Sequence, residues 1–92
     1  MSSSFYVQEV DTHIGMMVSI YDEDVIINKK IKEAKYNRKC SIEEIKNIIR
    51  GAVSITFYGE SAVKVGIKLG YIHPEAVKKL KGVKVAMFIK TY

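Results

Sequence analysis

Residues 41–61 read Ser41-Ile42-Glu43-Glu44-Ile45-Lys46-Asn47-Ile48-Ile49-Arg50-Gly51-Ala52-Val53-Ser54-Ile55-Thr56-Phe57-Tyr58-Gly59-Glu60-Ser61. Ser41 followed by Glu44 is a capping box, in which the Ser41 hydroxyl accepts from the third helical N–H and Glu44 reaches back. Ile42, Ile45, Ile48 and Ile49 then form one apolar stripe, and Gly51 is a natural stop. Val53 to Tyr58 is β-branched and aromatic, which predicts a strand. Gly59-Glu60-Ser61 turns that strand into a second helix over about Ser61 to Leu69, closed by Gly70, with a core-facing Val63-Gly66-Ile67 stripe. Helix, strand, helix is the alternation of a layered protein with both element types.

The same reading extends in both directions. Upstream, Phe5 to Val10 and Met16 to Tyr21 alternate with strand periodicity around the turn Asp11 to Gly15, which predicts an antiparallel hairpin. Asp22-Glu23-Asp24 fits a helix start, since carboxylates complement the N-terminal dipole. A short helix followed by a strand around Ile31 to Tyr36 is expected next, although Val25-Ile26-Ile27 suits a strand equally well. Downstream, His73-Pro74-Glu75 begins a short helical turn. Gly82 ends it, and Val83 to Ile89 alternates in a last strand. The order is roughly β-β-α-β-α-β-α-β, an α+β or α/β protein with helices packed on one mixed sheet. Ninety-two residues, 48% of them hydrophobic, make a single domain over 1–92. There are no repeats or low-complexity tracts.

Composition excludes several functions. No apolar run approaches the ~18 residues of a membrane span. Met1-Ser2-Ser3-Ser4 does not resemble a signal peptide, so a cytoplasmic protein without membrane contact is expected. One cysteine, Cys40, excludes an internal disulfide and a cysteine-based zinc cage. Thirteen isoleucines and thirteen lysines against one glutamine give a thermophile-like composition.

The net charge of +5 is unevenly distributed. Residues 1–24 sum to −5, residues 25–39 to +5, and residues 61–92 to +6. Such asymmetry suits a phosphate backbone or an acidic protein. Only two of the fifteen basic residues are arginine, and lysine acts on phosphate as a point charge, so phosphate contact rather than base reading is expected. Lys64, Lys68, Lys78, Lys79, Lys81 and Lys84 are the expected phosphate-facing set, forming one convex face. Lys35, Tyr36, Arg38 and Lys39 are expected to help. In Tyr36-Asn37-Arg38-Lys39 an aromatic ring, an amide and two cations share a predicted loop. Tyrosines beside lysines can stack unpaired bases. Tyr6, Tyr21, Tyr36, Tyr58, Tyr71 and Tyr92 nevertheless read mostly as edges of the core.

Other constellations are weaker. Gly59 and Ser61 form a candidate anion site at a helix N-terminus, with the Glu60 carboxylate counting against it. His13 reads as a turn residue, His73 as a cap, and Cys40 as a small part-buried side chain. Asp22, Glu23 and Asp24 lack the spacing of a calcium loop. No catalytic residue, metal, cofactor or small-molecule substrate is expected.

The run Tyr58-Gly59-Glu60-Ser61-Ala62-Val63-Lys64-Val65-Gly66-Ile67-Lys68-Leu69-Gly70-Tyr71-Ile72 resembles a small archaeal family catalogued as domain of unknown function 424. Pro74-Glu75-Ala76-Val77 and Gly82-Val83 continue the family pattern in register. The opening hairpin and Asp22-Glu23 resemble its first strands and acidic turn. Two positions depart from it. Gly82-Val83-Lys84-Val85-Ala86-Met87 stands where the family reads Gly-Val-Pro-His-Ala-Gln, and Tyr21 replaces a cysteine. A family function that used those groups would be lost here. The resemblance implies an archaeal cytoplasmic protein associated with translation, and it supplies no reaction. Charge and resemblance together lead to the expectation of a non-enzymatic protein on the surface of the ribosome, contacting ribosomal RNA and neighbouring ribosomal proteins. A protein-interaction or regulatory module using the acidic first hairpin and an apolar sheet edge is the alternative. A small enzyme in which Glu60 meets His13 or His73 comes third.

Overall fold

A computed structural model describes residues 4–91; Met1, Ser2, Ser3 and Tyr92 lie outside the described residues. Strands β1 (Ser4–Thr12) and β2 (Gly15–Asp22) form the expected hairpin, and helix α1 (Glu23–Ile27) follows directly. Strand β3 (Arg38–Ser41) leads into α2 (Ile42–Arg50), β4 (Ala52–Tyr58) and α3 (Glu60–Lys68). A single 3-10 turn (Pro74–Ala76), β5 (Lys78–Leu80) and β6 (Val83–Ile89) complete the chain. The fold is α+β, built on one six-stranded mixed sheet in the order β3-β1-β2-β4-β6-β5. Only the central β2–β4 pair is parallel.

The capping box forms as its residues require. The Glu44 N–H donates to Ser41 Oγ at 3.3 Å, and the Ser41 N–H donates to Glu44 Oε1 at 2.9 Å. Helix α2 buries Ile45 and Ile49, with Ile42 and Ile48 half-buried against the same core. Helix α3 buries Val63 and Gly66 on that side of the sheet, over Val7, Val18, Ile20, Ile55 and Phe57. A Cβ at Gly66 would stand 2.9 Å from Ile72 Cγ1 and 3.0 Å from the Phe57 ring, so glycine lets the helix lie close.

The opposite face carries Tyr6, Tyr21 and Tyr58 in one row across β1, β2 and β4. Tyr21 and Tyr58 stack with centroids 4.6 Å apart. Val25 and Ile31 close a second, smaller core over them with Val83. Farther along this face, α1 and its following loop end and the sheet lies open. Gln8, Ser19 and Thr56 occupy it beside Val10, Met17, Met87 and Ile89, and these last four are exposed.

Two expectations are corrected. The strand expected over Ile31 to Tyr36 is an irregular segment; Ile31 is buried because it plugs the second core, without strand pairing. The true strand, Arg38–Ser41, lies on the sheet edge, so only Cys40 is buried and no apolar alternation marks it. Likewise, the helical turn after His73 lasts three residues and Lys78–Leu80 forms the other edge strand, fully exposed.

Candidate nucleic-acid interface

Because β2 and β4 run parallel, their carboxyl ends, Asp22 and Tyr58, lie side by side. Helix α3 begins there, and its first free N–H groups face Asp22. The Ser61 N–H donates to Asp22 Oδ2 at 2.9 Å and the Ala62 N–H to Oδ1 at 2.6 Å. The candidate anion site at Gly59 and Ser61 therefore already holds an anion supplied by the chain itself. Gly59 adopts φ +110°, and a Cβ there would collide with the Asp22 carboxyl. Burial pushes the Asp22 pKa above its ordinary 3.8; the two N–H bonds oppose this, and Asp24 and Glu60 add to it. The acidic triplet expected to open α1 thus divides its roles. Asp22 makes no side-chain bond to its own helix, while Asp24 is held by Asn28 and Lys30 and its pKa is lowered, mainly by Lys30.

Beside this junction, α3 and the Pro74–Lys84 segment enclose an open groove of about 460 Å³. Val63, Ile67, Pro74 and Val77 supply its apolar lining, and Lys64, Lys78, Lys79 and Lys84 its charge. Glu60 also lines it and bonds Lys84 at 3.2 Å. An adjoining cleft of about 420 Å³ shares Glu60, Lys79 and Lys84 and reaches Asp22 and Lys30. Among the described residues, Lys64, Lys78 and Lys79 make no ion pair with a carboxylate. The same holds for Lys68, exposed one helical turn beyond Lys64 but outside the groove lining.

The remaining expected contacts are elsewhere and mostly neutralised. Lys81 turns to Glu33, bonding both carboxylate oxygens at 3.2 Å. Arg38 pairs with Glu9 at 3.1 Å and Glu44 at 3.5 Å, and its Nε reaches Cys40 Sγ at 3.1 Å. Lys39 bonds Glu23 at 3.0 Å and lies 5.4 Å from the centroid of the Tyr6 ring. Tyr36 meets Tyr6 edge-on at 4.6 Å, and Lys35 is exposed. The segment expected to be a loop at Tyr36-Asn37-Arg38-Lys39 is instead anchored. Asn37 donates its N–H to the Val7 carbonyl, and Arg38 and Lys39 belong to β3. Of the ten residues expected to contact RNA, the structure gathers four, Lys64, Lys78, Lys79 and Lys84, into one groove.

His73 Nδ1 accepts from the Glu75 N–H at 3.2 Å and caps the 3-10 turn. His13 is exposed in the hairpin turn, and neither histidine lines the clefts at Glu60. Cys40 is buried, and burial raises its thiol pKa despite Arg38. No three His, Cys, Asp or Glu side chains among the described residues gather as a metal site. No helix among them is long and apolar enough to cross a membrane. The sequence reading took Val63 and Ile67 as core-facing, which they are, and missed that the half-buried Ile67 also reaches a groove. It also missed Asp22 as the cap of α3, for which the sequence carries no local sign.

No protein-family model matches the sequence, and no curated protein is significantly similar to it. A solved structure is similar in shape. The crystal structure of an uncharacterized conserved protein from Methanopyrus kandleri superposes with a TM-score of 0.65, covering 98% of this chain and 96% of that one. The two are 16% identical. What they share is the fold.

Proposed function

We propose that this chain is a non-enzymatic RNA-contacting protein, a cytoplasmic accessory of translation held on the ribosome surface by lysine–phosphate contacts. One observation carries the reading: Lys64 and Lys79 face one groove without carboxylate partners, with Lys78 at its edge, while Arg38, Lys39 and Lys81 are paired. Unneutralised cations on a shared surface gain by releasing the counterions of a polyanion. Lysine supplies that term without reading sequence, in keeping with a protein that docks by shape and charge.

The test is sedimentation of the tagged protein with ribosomes on a lysate gradient, alongside titration of ribosomal RNA at several salt concentrations. Log affinity should fall against log salt with a slope of roughly −0.7 to −0.9 per phosphate met. The double variant Lys64→Glu, Lys79→Glu should weaken binding across unrelated RNA sequences and flatten that slope by about 1.4–1.8 units. Ribosome association unchanged by that variant would overturn the reading.

A second reading is favoured by the open half of the tyrosine face. Val10, Met17, Met87 and Ile89 are 44–62% exposed there, and no charged side chain interrupts their rows. An uncharged, part-apolar surface suits a protein neighbour better than RNA. Loss of ribosome association on Met17→Lys, with Lys64→Glu silent, would favour it.

A further inference from the structure

We infer that the groove between α3 and the Pro74–Lys84 segment takes unpaired nucleotides of a single-stranded RNA segment, with a base against the apolar lining and phosphates on the lysine rim. This rests on the RNA-contacting reading and adds which form of RNA is bound.

The argument comes from the groove having two chemistries. A duplex presents phosphates and riboses on a convex surface, and its bases are stacked away from a protein groove. Such a surface would engage lysines on any exposed face and would leave an apolar recess wet. Here Ile67, Pro74 and Val77, over a floor that includes the buried Val63, line the same recess as Lys64, Lys79 and Lys84, with Lys78 at its edge. A ligand satisfying both must carry an apolar face and an adjacent negative charge. An unpaired nucleotide does, because its base can leave the stack and bury a face beside its own phosphate. At about 460 Å³ the groove is in the size range of small-ligand sites, suited to a single base and its sugar.

Glu60 sharpens the placement. Its carboxylate lies in the groove and bonds Lys84, so the phosphate is disfavoured at that end and drawn toward Lys64, Lys78 and Lys79. The tyrosines do not compete for the base. Tyr21 is buried against Tyr58, Tyr6 is covered by Tyr36, and Tyr71 meets Phe88 edge-on at 5.0 Å. An aliphatic recess favours no particular base, so binding should tolerate sequence.

The experiment is fluorescence anisotropy on the intact protein with a short labelled oligouridylate, the same strand annealed into an RNA duplex, and uridine monophosphate as competitor. The single strand should bind about tenfold more tightly than the duplex at equal salt, the gain from burying part of one base face on an aliphatic surface. Ile67→Asn should remove that preference while leaving duplex affinity and the salt slope in place. Pro74→Ser, at an exposed position, should reduce the preference in the same direction and serves if the Asn variant fails to fold. Equal affinity for both forms, or variants that lower both alike, would overturn the inference while leaving the RNA-contacting reading intact. Binding of the mononucleotide as tight as that of the strand would assign the groove to a free nucleotide and overturn it as well. No binding of either RNA form would end both proposals.

Discussion

Asp22, at the carboxyl end of β2, and Ala62, forty residues later in α3, are joined by a 2.6 Å hydrogen bond from the Ala62 N–H to Asp22 Oδ1. The helix that carries half of the lysine groove is thus tied to the neighbouring strand through its first turn. Asp22→Ala would leave the Ser61 and Ala62 N–H groups without their acceptor. A loss of about 1–3 kcal/mol in unfolding free energy is expected, read from the urea midpoint. Asp22→Asn, which keeps one acceptor oxygen, should lose less.

The Asp22 carboxyl as a whole has an unusual pH dependence, because its burial outweighs the two N–H bonds that favour its ionised form. The folded-state pKa of Asp22 is raised, chiefly by burial, so the folded protein holds this proton more tightly than the unfolded chain does. The Asp22 contribution is therefore fully present below the ordinary value of 3.8 and is lost as pH rises through the raised value. Asp24 and Glu44, with lowered values, act oppositely and lose their contribution as pH falls through them. The stability difference between wild type and Asp22→Asn should shrink as pH increases across the acidic range. Denaturant unfolding at a series of pH values tests this, and a gap that widens with pH contradicts it.

Two glycines separate packing from backbone freedom. Gly66→Ala introduces a methyl 2.9–3.1 Å from Ile72 and the Phe57 ring, an overpacking expected to cost about 1–3 kcal/mol. Gly51 meets nothing within 4 Å and sits at φ −104°. Gly51→Ala should therefore be neutral or stabilise by about 0.4–1 kcal/mol through the unfolded chain. Thermal melts of both variants should move in different directions or by clearly different amounts.

Helix α2 offers a direct comparison of cap and core. Ser41→Ala removes the capping hydroxyl and should cost about 1 kcal/mol. Ile45→Ala opens a cavity at a side chain that is fully buried and should cost about 2–5 kcal/mol. Equal, negligible changes in unfolding midpoint would contradict this account of the helix.

What the sequence made legible follows from the range of each interaction. The Ser41 box, the isoleucine stripe and the stop at Gly51 all operate within one or two helical turns, and α2 has the expected ends. The hairpin and β4 are legible because their inward residues alternate. Strands β3 and β5 were not, because an edge strand of four or three residues buries one side chain or none. Ile31 misled for a related reason, being apolar and buried without belonging to an element. In the site, lysine clustering was legible from charge alone. Which lysines are neutralised depends on contacts such as Lys81 with Glu33, forty-eight residues apart, which no local pattern encodes.

Both margins of the sheet carry adjacent cations, Arg38-Lys39 on β3 and Lys78-Lys79 on β5. Strands that end a sheet expose unpaired backbone groups and invite another chain to add on, the first step toward fibres. On β3 those cations are paired with Glu9, Glu44 and Glu23, but two molecules approaching β5 to β5 bring Lys78 and Lys79 against their copies along a strand too short to zip. Lysines at 78 and 79 are therefore expected to oppose association through that margin as well as lining the groove. Replacing both with valine should raise light scattering on storage at concentrations where the parent chain stays clear. Charge at these two positions would then be favoured by the exposed sheet margin alone, whether or not the groove holds a ligand.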